Sequence, residues 1–368
     1  MAILRIELDN ILCFNKFEAD FSYPKKIVKS PLGGEYLSHY PSIRYKKVNI
    51  LIGSNATGKT SLGKAIWTIF LFLRDKESKT IRNVVSDTNK EATFLMDCVF
   101  AEGIFFRFEG IVRTSGDVDV RYRALPLTKL DTYETLIKRL PETEFANHVK
   151  ALDGVAFGGW NFCFPTIEDG FDIINCKYDD NESRSFISIF EHILKTLDPS
   201  IKEVFKSNEQ ENTFIIKLFN NKTIAVKHGE KISGLNHLSS GTKYAINIAG
   251  LMYSIKNHDN GFYYADEQFS YVNSDIEIAC LAMMIDLLGD GEQLFFTTHN
   301  AELMNISLPN HCFAFLKKKK EENGQYSVSL IDASYFEKRN NVNIKNLYDN
   351  DYFDVAPDTS EVFNIGNN

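Results

Sequence analysis

Residues 53–61 read GSNATGKTS, and their types and spacing fit one kind of chemistry, the holding of a chain of phosphates. Gly53 and Gly58 let the backbone curl with no Cβ in the way. The stretch Ser54, Asn55, Ala56, Thr57, Gly58, Lys59, Thr60 and Ser61 can then turn successive N–H groups toward phosphate oxygens. Lys59 has the charge and reach for β- and γ-phosphates, and the Thr60 hydroxyl suits Mg²⁺. A second group of candidates lies far downstream. Residues 262–267, FYYADE, form an apolar run that ends in two carboxylates. Asp266 suits the Mg²⁺ shell, and Glu267 suits orienting and deprotonating an attacking water.

Such residues need rigid elements to position them. The glycine loop follows the apolar run Val48–Ile52 and leads into the apolar stretch 65–73, so strand, loop and helix are expected in that order, with the helix dipole adding to phosphate binding. The opening residues 3–8 alternate apolar and charged side chains, which predicts a strand. The stretch 23–41, with its Pro, Gly and Tyr, reads as a long loop. Runs at 92–100, 104–113 and 118–122 read as an antiparallel meander turning at Gly103 and Gly116. Helical spacing at 130–152 and 182–197 predicts a largely helical unit over 125–200, interrupted by a glycine- and aromatic-rich stretch. Strands at 213–219 and 222–227 flank a turn at Asn220 and Asn221. From 261 to 316, strand and helix alternate, which predicts a parallel sheet with helices on its faces. The expected organisation is an N-terminal lobe over 1–124, a helical insertion over 125–200 and a C-terminal lobe over 201–368. Nothing sustains heptads, so no long coiled coil is expected.

Composition narrows the class. The chain has 368 residues, 44% hydrophobic and 24% charged, with 29 Phe and 16 Tyr to fill a core. Arg5, Glu7 and Asp9 break the opening apolar run, so no signal peptide is expected, and no run is long enough to span a bilayer. Six cysteines are scattered without a C-x-x-C pair, which argues against a zinc site or a disulfide framework and fits the cytoplasm. The net charge of −8 does not suit a protein whose main task is gripping nucleic acid. Residues 22–47 nevertheless carry Lys25, Lys26, Lys29, Arg44, Lys46 and Lys47 against Glu35, and Lys317 to Lys320 form a second basic run. These segments are either solvated loops or a small contact for DNA or an acidic partner.

Asp266 stands 207 positions after Lys59. An insertion of strands and then helices between the two resembles the plan of ABC-type ATPases. That resemblance implies a P-loop ABC-ATPase head of α/β class, with a mixed sheet core, an antiparallel β subdomain and a helical lobe. It also implies two further elements. LSSGT at 238–242 precedes a helix and matches the signature loop, in which Ser239 and Gly241 hold the positions that contact the γ-phosphate of ATP on a partner subunit. FFTTH at 295–299 ends in His299, at the position of the γ-phosphate-sensing switch histidine. The opening LRIELDNILCF is similar to the first strand of the RecF/SMC-like branch. Residues 338–353 resemble the closing segment of small bacterial ABC ATPases related to the OLD family and found in anti-phage defence.

The resemblance implies ATP and Mg²⁺ as ligands, a homodimer closed around ATP, hydrolysis with Glu267, His299 and Lys59 at the reacting phosphate, and a separately encoded nuclease or toxin as effector. Alternatives are a RecF-like DNA-repair ATPase and an ATP-gated scaffold that barely hydrolyses. The sequence departs from the family in three places. Its four glutamines, at 210, 268, 293 and 325, all lie outside the interval where a Q-loop glutamine is expected, leaving Asn161 as the substitute candidate. Ser270 and Asn273 stand at the D-loop positions. The 69 residues after His299 show no acidic cluster of a nuclease.

Overall fold

The computed structural model describes residues 1–23, 30–145, 149–165, 180–210, 213–227, 240–322, 324, 326–337, 342–356, 362 and 365. Its first strand, β1 (Ala2–Asp9), pairs antiparallel with β2 (Phe17–Asp20) on one side. On the other side, past the hairpin β3 (Tyr36–Leu37) and β4 (Tyr40–Arg44) and the strand β5 (Val48–Ile52) in sequence, it pairs with β6 (Ala92–Phe100). β6 continues through β7 (Ile104–Val112) to β8 (Val118–Pro126), giving a five-stranded antiparallel sheet in the order β2-β1-β6-β7-β8. The expected meander is therefore present. Gly103 and Gly116 turn it with φ of 87° and 90°, the left-handed region where a glycine meets no Cβ clash.

The second sheet positions the site. Its order is β16 (Tyr326–Asp332), β15 (Phe313–Lys320), β5, β14 (Gln293–Thr298), β13 (Phe262–Asp266) and β9 (Trp160–Cys163), parallel except for the edge strand β16. Strands covered on both faces read as continuous apolar runs, and β5, β13 and β14 are buried at every position. Their side chains divide between two layers. Leu51, Phe262, Tyr264 and Phe295 pack against α1 (Lys59–Asp75) and the antiparallel sheet. Ile50, Ile52, Tyr263, Ala265 and Phe296 face a core shared with α4 (Asp180–Leu197), α5 (Ser240–Lys256) and α6 (Ser274–Leu287), and with the three-stranded sheet of β10 (Ile201–Lys206), β11 (Thr213–Leu218) and β12 (Thr223–Lys227). Short helices α2 (Ser78–Arg82), α3 (Tyr133–Arg139), α7 (Ala333–Phe336) and α8 (Ile344–Asp349) complete the described α-helices.

Three local expectations change. Among the described residues of 130–152 the helix is limited to α3, started by a capping box between Thr132 and Thr135, with a 3-10 turn at Val149–Leu152. Pro141 explains the stop, because it pushes Leu140 out of the helical region, to ψ 128°. The glycine- and aromatic-rich stretch supplies β9, an edge strand of the central sheet. The four residues WNFC after two glycines are too few to set a period. The loop at 23–41 contains β3 and the start of the β3–β4 hairpin.

The basic segment is partly internal. Lys46 is buried, pairs with buried Asp332 and donates to the Asp20 carbonyl at 2.8 Å. Lys47 is buried and donates to the carbonyls of Gly33 (3.2 Å) and Leu288 (3.0 Å). Lys25, Lys26 and Lys29 lie outside the described residues. In the second basic run, Lys317 pairs with Asp354 and Lys318 lies over the Tyr326 ring. Of the family-like tail, 338–341 lie outside the described residues. The remainder forms α8 and seats Phe353 on Phe315, ring centroids 4.6 Å apart. No described helix is long and apolar enough to cross a membrane.

Candidate nucleotide site

The site is built where β5, β13 and β14 end. β5 delivers Gly53, at which a Cβ would come within 2.7 Å of Thr57 Oγ1 and 3.0 Å of the Leu316 carbonyl, so any side chain there would force the loop to shift. Gly58 turns the loop into α1 with φ 109°. At the crown, Ala56 is held at φ 63°, a left-handed conformation that costs a side-chain-bearing residue about 1 kcal/mol and recurs at ligand clamps. Asn55 and Ala56 are exposed, and Ser54, Thr60 and Ser61 are partly so. The N-terminus of α1 carries no side-chain cap, which leaves its first amides to an external anion.

α1 is locked to β13 by close approach. The Tyr264 hydroxyl, fully buried, donates to the Lys59 carbonyl at 2.8 Å. Gly63 lies against the same ring, so a Cβ there would sit 2.5 Å from Tyr264 Cε1. The ring is held at its hydroxyl and cannot yield. Gly63→Ala should therefore lower the melting temperature, corresponding to about 1–3 kcal/mol of overpacking against less than about 1 kcal/mol of gained helix propensity. Thermal unfolding with and without nucleotide checks this.

Lys59 is buried. Its Nζ donates to the carbonyls of Gly53 (2.6 Å) and Ser54 (3.0 Å) and lies 3.1 Å from Glu267 Oε1. Glu267 is itself constrained. Its φ is 46°, its N–H meets both Thr297 O (3.2 Å) and Thr297 Oγ1 (3.1 Å), and its carbonyl accepts from the Ser270 hydroxyl at 3.0 Å. A glutamate fixed in the left-handed region marks a position where geometry has been favoured over backbone comfort.

Asp266 is wholly buried. Thr297 Oγ1 donates to its Oδ1 at 2.7 Å, whereas Oδ2 is buried with no partner. Burial pushes this carboxyl up from its ordinary range, opposed by the hydroxyls of Thr297 and Thr60. An orphaned carboxylate oxygen sharing a site with a threonine hydroxyl is a hard-oxygen donor set that fits Mg²⁺. A metal there would compete with a proton at Asp266, and the raised pKa would move that competition to higher pH. Mg²⁺-dependent nucleotide affinity should then fall as pH drops, at a higher pH than an ordinary aspartate would give. Titrations at several pH values, with Mg²⁺ and with EDTA, should show the fall only with Mg²⁺.

Strand register places His299. Asp266 pairs with Thr297, and Thr298 pairs with Ile52, so His299 and Gly53 leave adjacent strands at the same level. His299 is exposed there. Its loop is braced by buried Glu277 of α6, which accepts from Thr298 Oγ1 (2.8 Å) and Asn300 Nδ2 (2.7 Å). Sequence reasoning missed Thr297, Glu277 and Gln268. The paired threonines before His299 were the only available signal for the first, and the other two act through contacts that no motif encodes.

The remaining candidates fall elsewhere. Ser239 lies outside the described residues. Gly241 is in the first turn of α5, described by its backbone alone. Asn161 sits within β9, paired with Tyr263, and its Oδ1 lies 3.8 Å from Cys163 Sγ. Asn273 caps α6, accepting from the Asp275 N–H at 2.8 Å.

No family model matches the chain, and no curated protein does. Solved structures do match. An SMC head bound to the C-terminal winged-helix domain of ScpA is 14% identical, with TM-score 0.52, over 91% of this chain and 99% of that one. An Smc head with an extended coiled coil, bound to the C-terminal domain of ScpA derived from Pyrococcus furiosus, is 12% identical, with TM-score 0.51, over 91% and 98%. At this identity the likeness is one of fold. The chain has the mixed α/β fold of an ABC-ATPase head, as the insertion between Lys59 and Asp266 implied.

Proposed function

We propose that this chain binds and hydrolyses ATP, and that the ATP-bound form closes as a two-fold homodimer that switches its hold on a separate protein. One observation carries the ATPase reading. Lys59 of the P-loop reaches Glu267 at 3.1 Å beside Asp266, whose Oδ2 has no partner, although 207 positions separate the two segments.

Lys59 neutralises Glu267 and fills its own loop. Phosphate binding draws Lys59 off the carboxylate and onto β- and γ-oxygens, with P-loop amides as the remaining donors. Asp266 and the Thr60 hydroxyl would hold Mg²⁺, which would neutralise charge on the phosphates. Glu267, now free, orients a water and takes its proton as oxygen attacks the γ-phosphorus. The bond to the β–γ bridging oxygen breaks, leaving ADP and phosphate. His299, at the mouth beside Gly53, senses the γ-phosphate by hydrogen bonding.

Ser239 and Gly241 are assigned by resemblance to the ATP of the opposing copy, so closure requires two chains head to tail. The partner expected from the same resemblance is a separately encoded nuclease or toxin in a cytoplasmic anti-phage system. Two of the matched SMC heads are bound to a domain of a second protein, ScpA, a precedent for a head that acts through a partner. A DNA-gripping role has less support, because Lys46 and Lys47 of the basic segment are internal. Phosphate release and ATP binding measured separately test the reading. Turnover with Mg²⁺ supports it, and tight binding without turnover points to an ATP-gated scaffold.

A further inference from the structure

We infer that Gln268 belongs to the metal–nucleotide site, its Oε1 accepting a hydrogen bond from a water in the shell of the bound divalent cation. The inference rests on the ATPase reading and assigns a role to a residue that reading does not use.

Gln268 follows Glu267 and is 1% exposed. Its Nε2 donates to two carbonyls, Asp266 O at 2.9 Å and Cys163 O at 3.2 Å. Both partners are acceptors only, which fixes the amide orientation: the nitrogen faces the carbonyls and the oxygen faces away. That oxygen is buried and has no partner. A buried carbonyl left without a donor costs about 1–3 kcal/mol.

The location is informative. Among the described residues, three buried side-chain polar atoms have no partner, and two of them are Asp266 Oδ2 and Gln268 Oε1, at the same strand end. Both are acceptors. A hydrophobic ligand satisfies neither, and an anion is repelled by both. A hydrated divalent cation satisfies them together, the carboxylate meeting the metal or its water and the amide oxygen meeting a water proton. The amide nitrogen, tied to the ends of β13 and β9, holds the oxygen in place. Gln268 lies outside the interval where a Q-loop glutamine is expected, and comes from the turn that follows β13, directly after Asp266 and Glu267.

A purely structural clamp between β13 and β9 would require only the nitrogen. Two variants probe the roles together. Gln268→Met removes both ends of the amide without adding charge, so it carries the size of the metal effect. Gln268→Lys keeps donors for the two carbonyls and removes the acceptor, but adds a positive charge that itself repels a cation, so retained Mn²⁺ affinity is its informative outcome. Free Mn²⁺ is measured by electron paramagnetic resonance during titration of wild type and both variants at saturating ADP. ADP affinity is measured separately in EDTA, and melting curves establish which variants are folded. The expected result is Mn²⁺ affinity weakened about 10- to 100-fold in each folded variant, with metal-free ADP affinity within about twofold of wild type. Wild-type Mn²⁺ affinity in a folded Gln268→Lys or Gln268→Met protein overturns the inference and leaves the ATPase reading standing. Failure of the wild-type protein to bind Mn²⁺ with ADP overturns both.

Discussion

Glu267→Gln should leave ATP bound and lower steady-state phosphate release by about 10²- to 10⁴-fold, the usual contribution of a general base. The amide keeps the shape of the side chain and loses the capacity to accept a proton from water. The backbone that presents it should not move. Its N–H is held by Thr297 and its carbonyl by Ser270, both independent of the carboxylate. The same change removes the 3.1 Å ion pair to Lys59. In the nucleotide-free protein, Lys59 then has only the Gly53 and Ser54 carbonyls to leave on binding phosphate. ATP affinity should therefore hold or rise while turnover collapses. A phosphate-release assay beside equilibrium ATP binding gives both numbers. Hydrolysis at the wild-type rate would remove Glu267 from the role of base.

Lys59→Ala should act on binding itself, weakening ATP by about 100-fold or more. A charge-assisted hydrogen bond to phosphate contributes about 1.5–3 kcal/mol, and each 1.4 kcal/mol is a factor of ten in affinity. The substitution also leaves Glu267 without its counter-charge beside the incoming phosphates, which adds repulsion in the direction of weaker binding. Fold stability should fall modestly, by about 1–2 kcal/mol. Lys59 is 3% exposed but the Glu267 side chain keeps 23% of its solvent access, so the stranded carboxylate is still partly hydrated. Calorimetric titration with ATP and a thermal melt separate the two effects. ATP binding within about threefold of wild type, in a folded Lys59→Ala protein, would contradict the P-loop assignment.

The residues that make this site were legible to different degrees, for physical reasons. The P-loop announces itself because its chemistry is local: a curled backbone, a lysine and a hydroxyl within nine consecutive residues. β5, β13 and β14 were legible because strands covered on both faces read as largely apolar runs. The Asp266–Glu267 pair became readable only beside the P-loop, as an acidic step at the end of such a run. Other parts depend on partners distant in sequence. β9 is a strand because β13 lies beside it, and Trp160 to Cys163 alone carry no alternation. Thr297, Glu277 and Gln268 matter through hydrogen bonds to carboxylates, hydroxyls and carbonyls on neighbouring elements. Lys46 and Lys47 looked like surface charge, yet Asp332 and the carbonyls of Asp20, Gly33 and Leu288 draw them inside. Charge counting along a sequence cannot tell an internal lysine from an exposed one, because burial is decided by what folds over it.

In the proposed ATPase, the P-loop, Asp266 and Glu267 carry the ATP chemistry within one chain, and the proposed switch requires that ATP also join two chains. Sedimentation of Glu267→Gln protein with Mg²⁺ and saturating ATP, beside the same protein with ADP, tests that requirement most directly. The account predicts a doubling of mass with ATP and none with ADP. Full ATP occupancy at unchanged mass would contradict it.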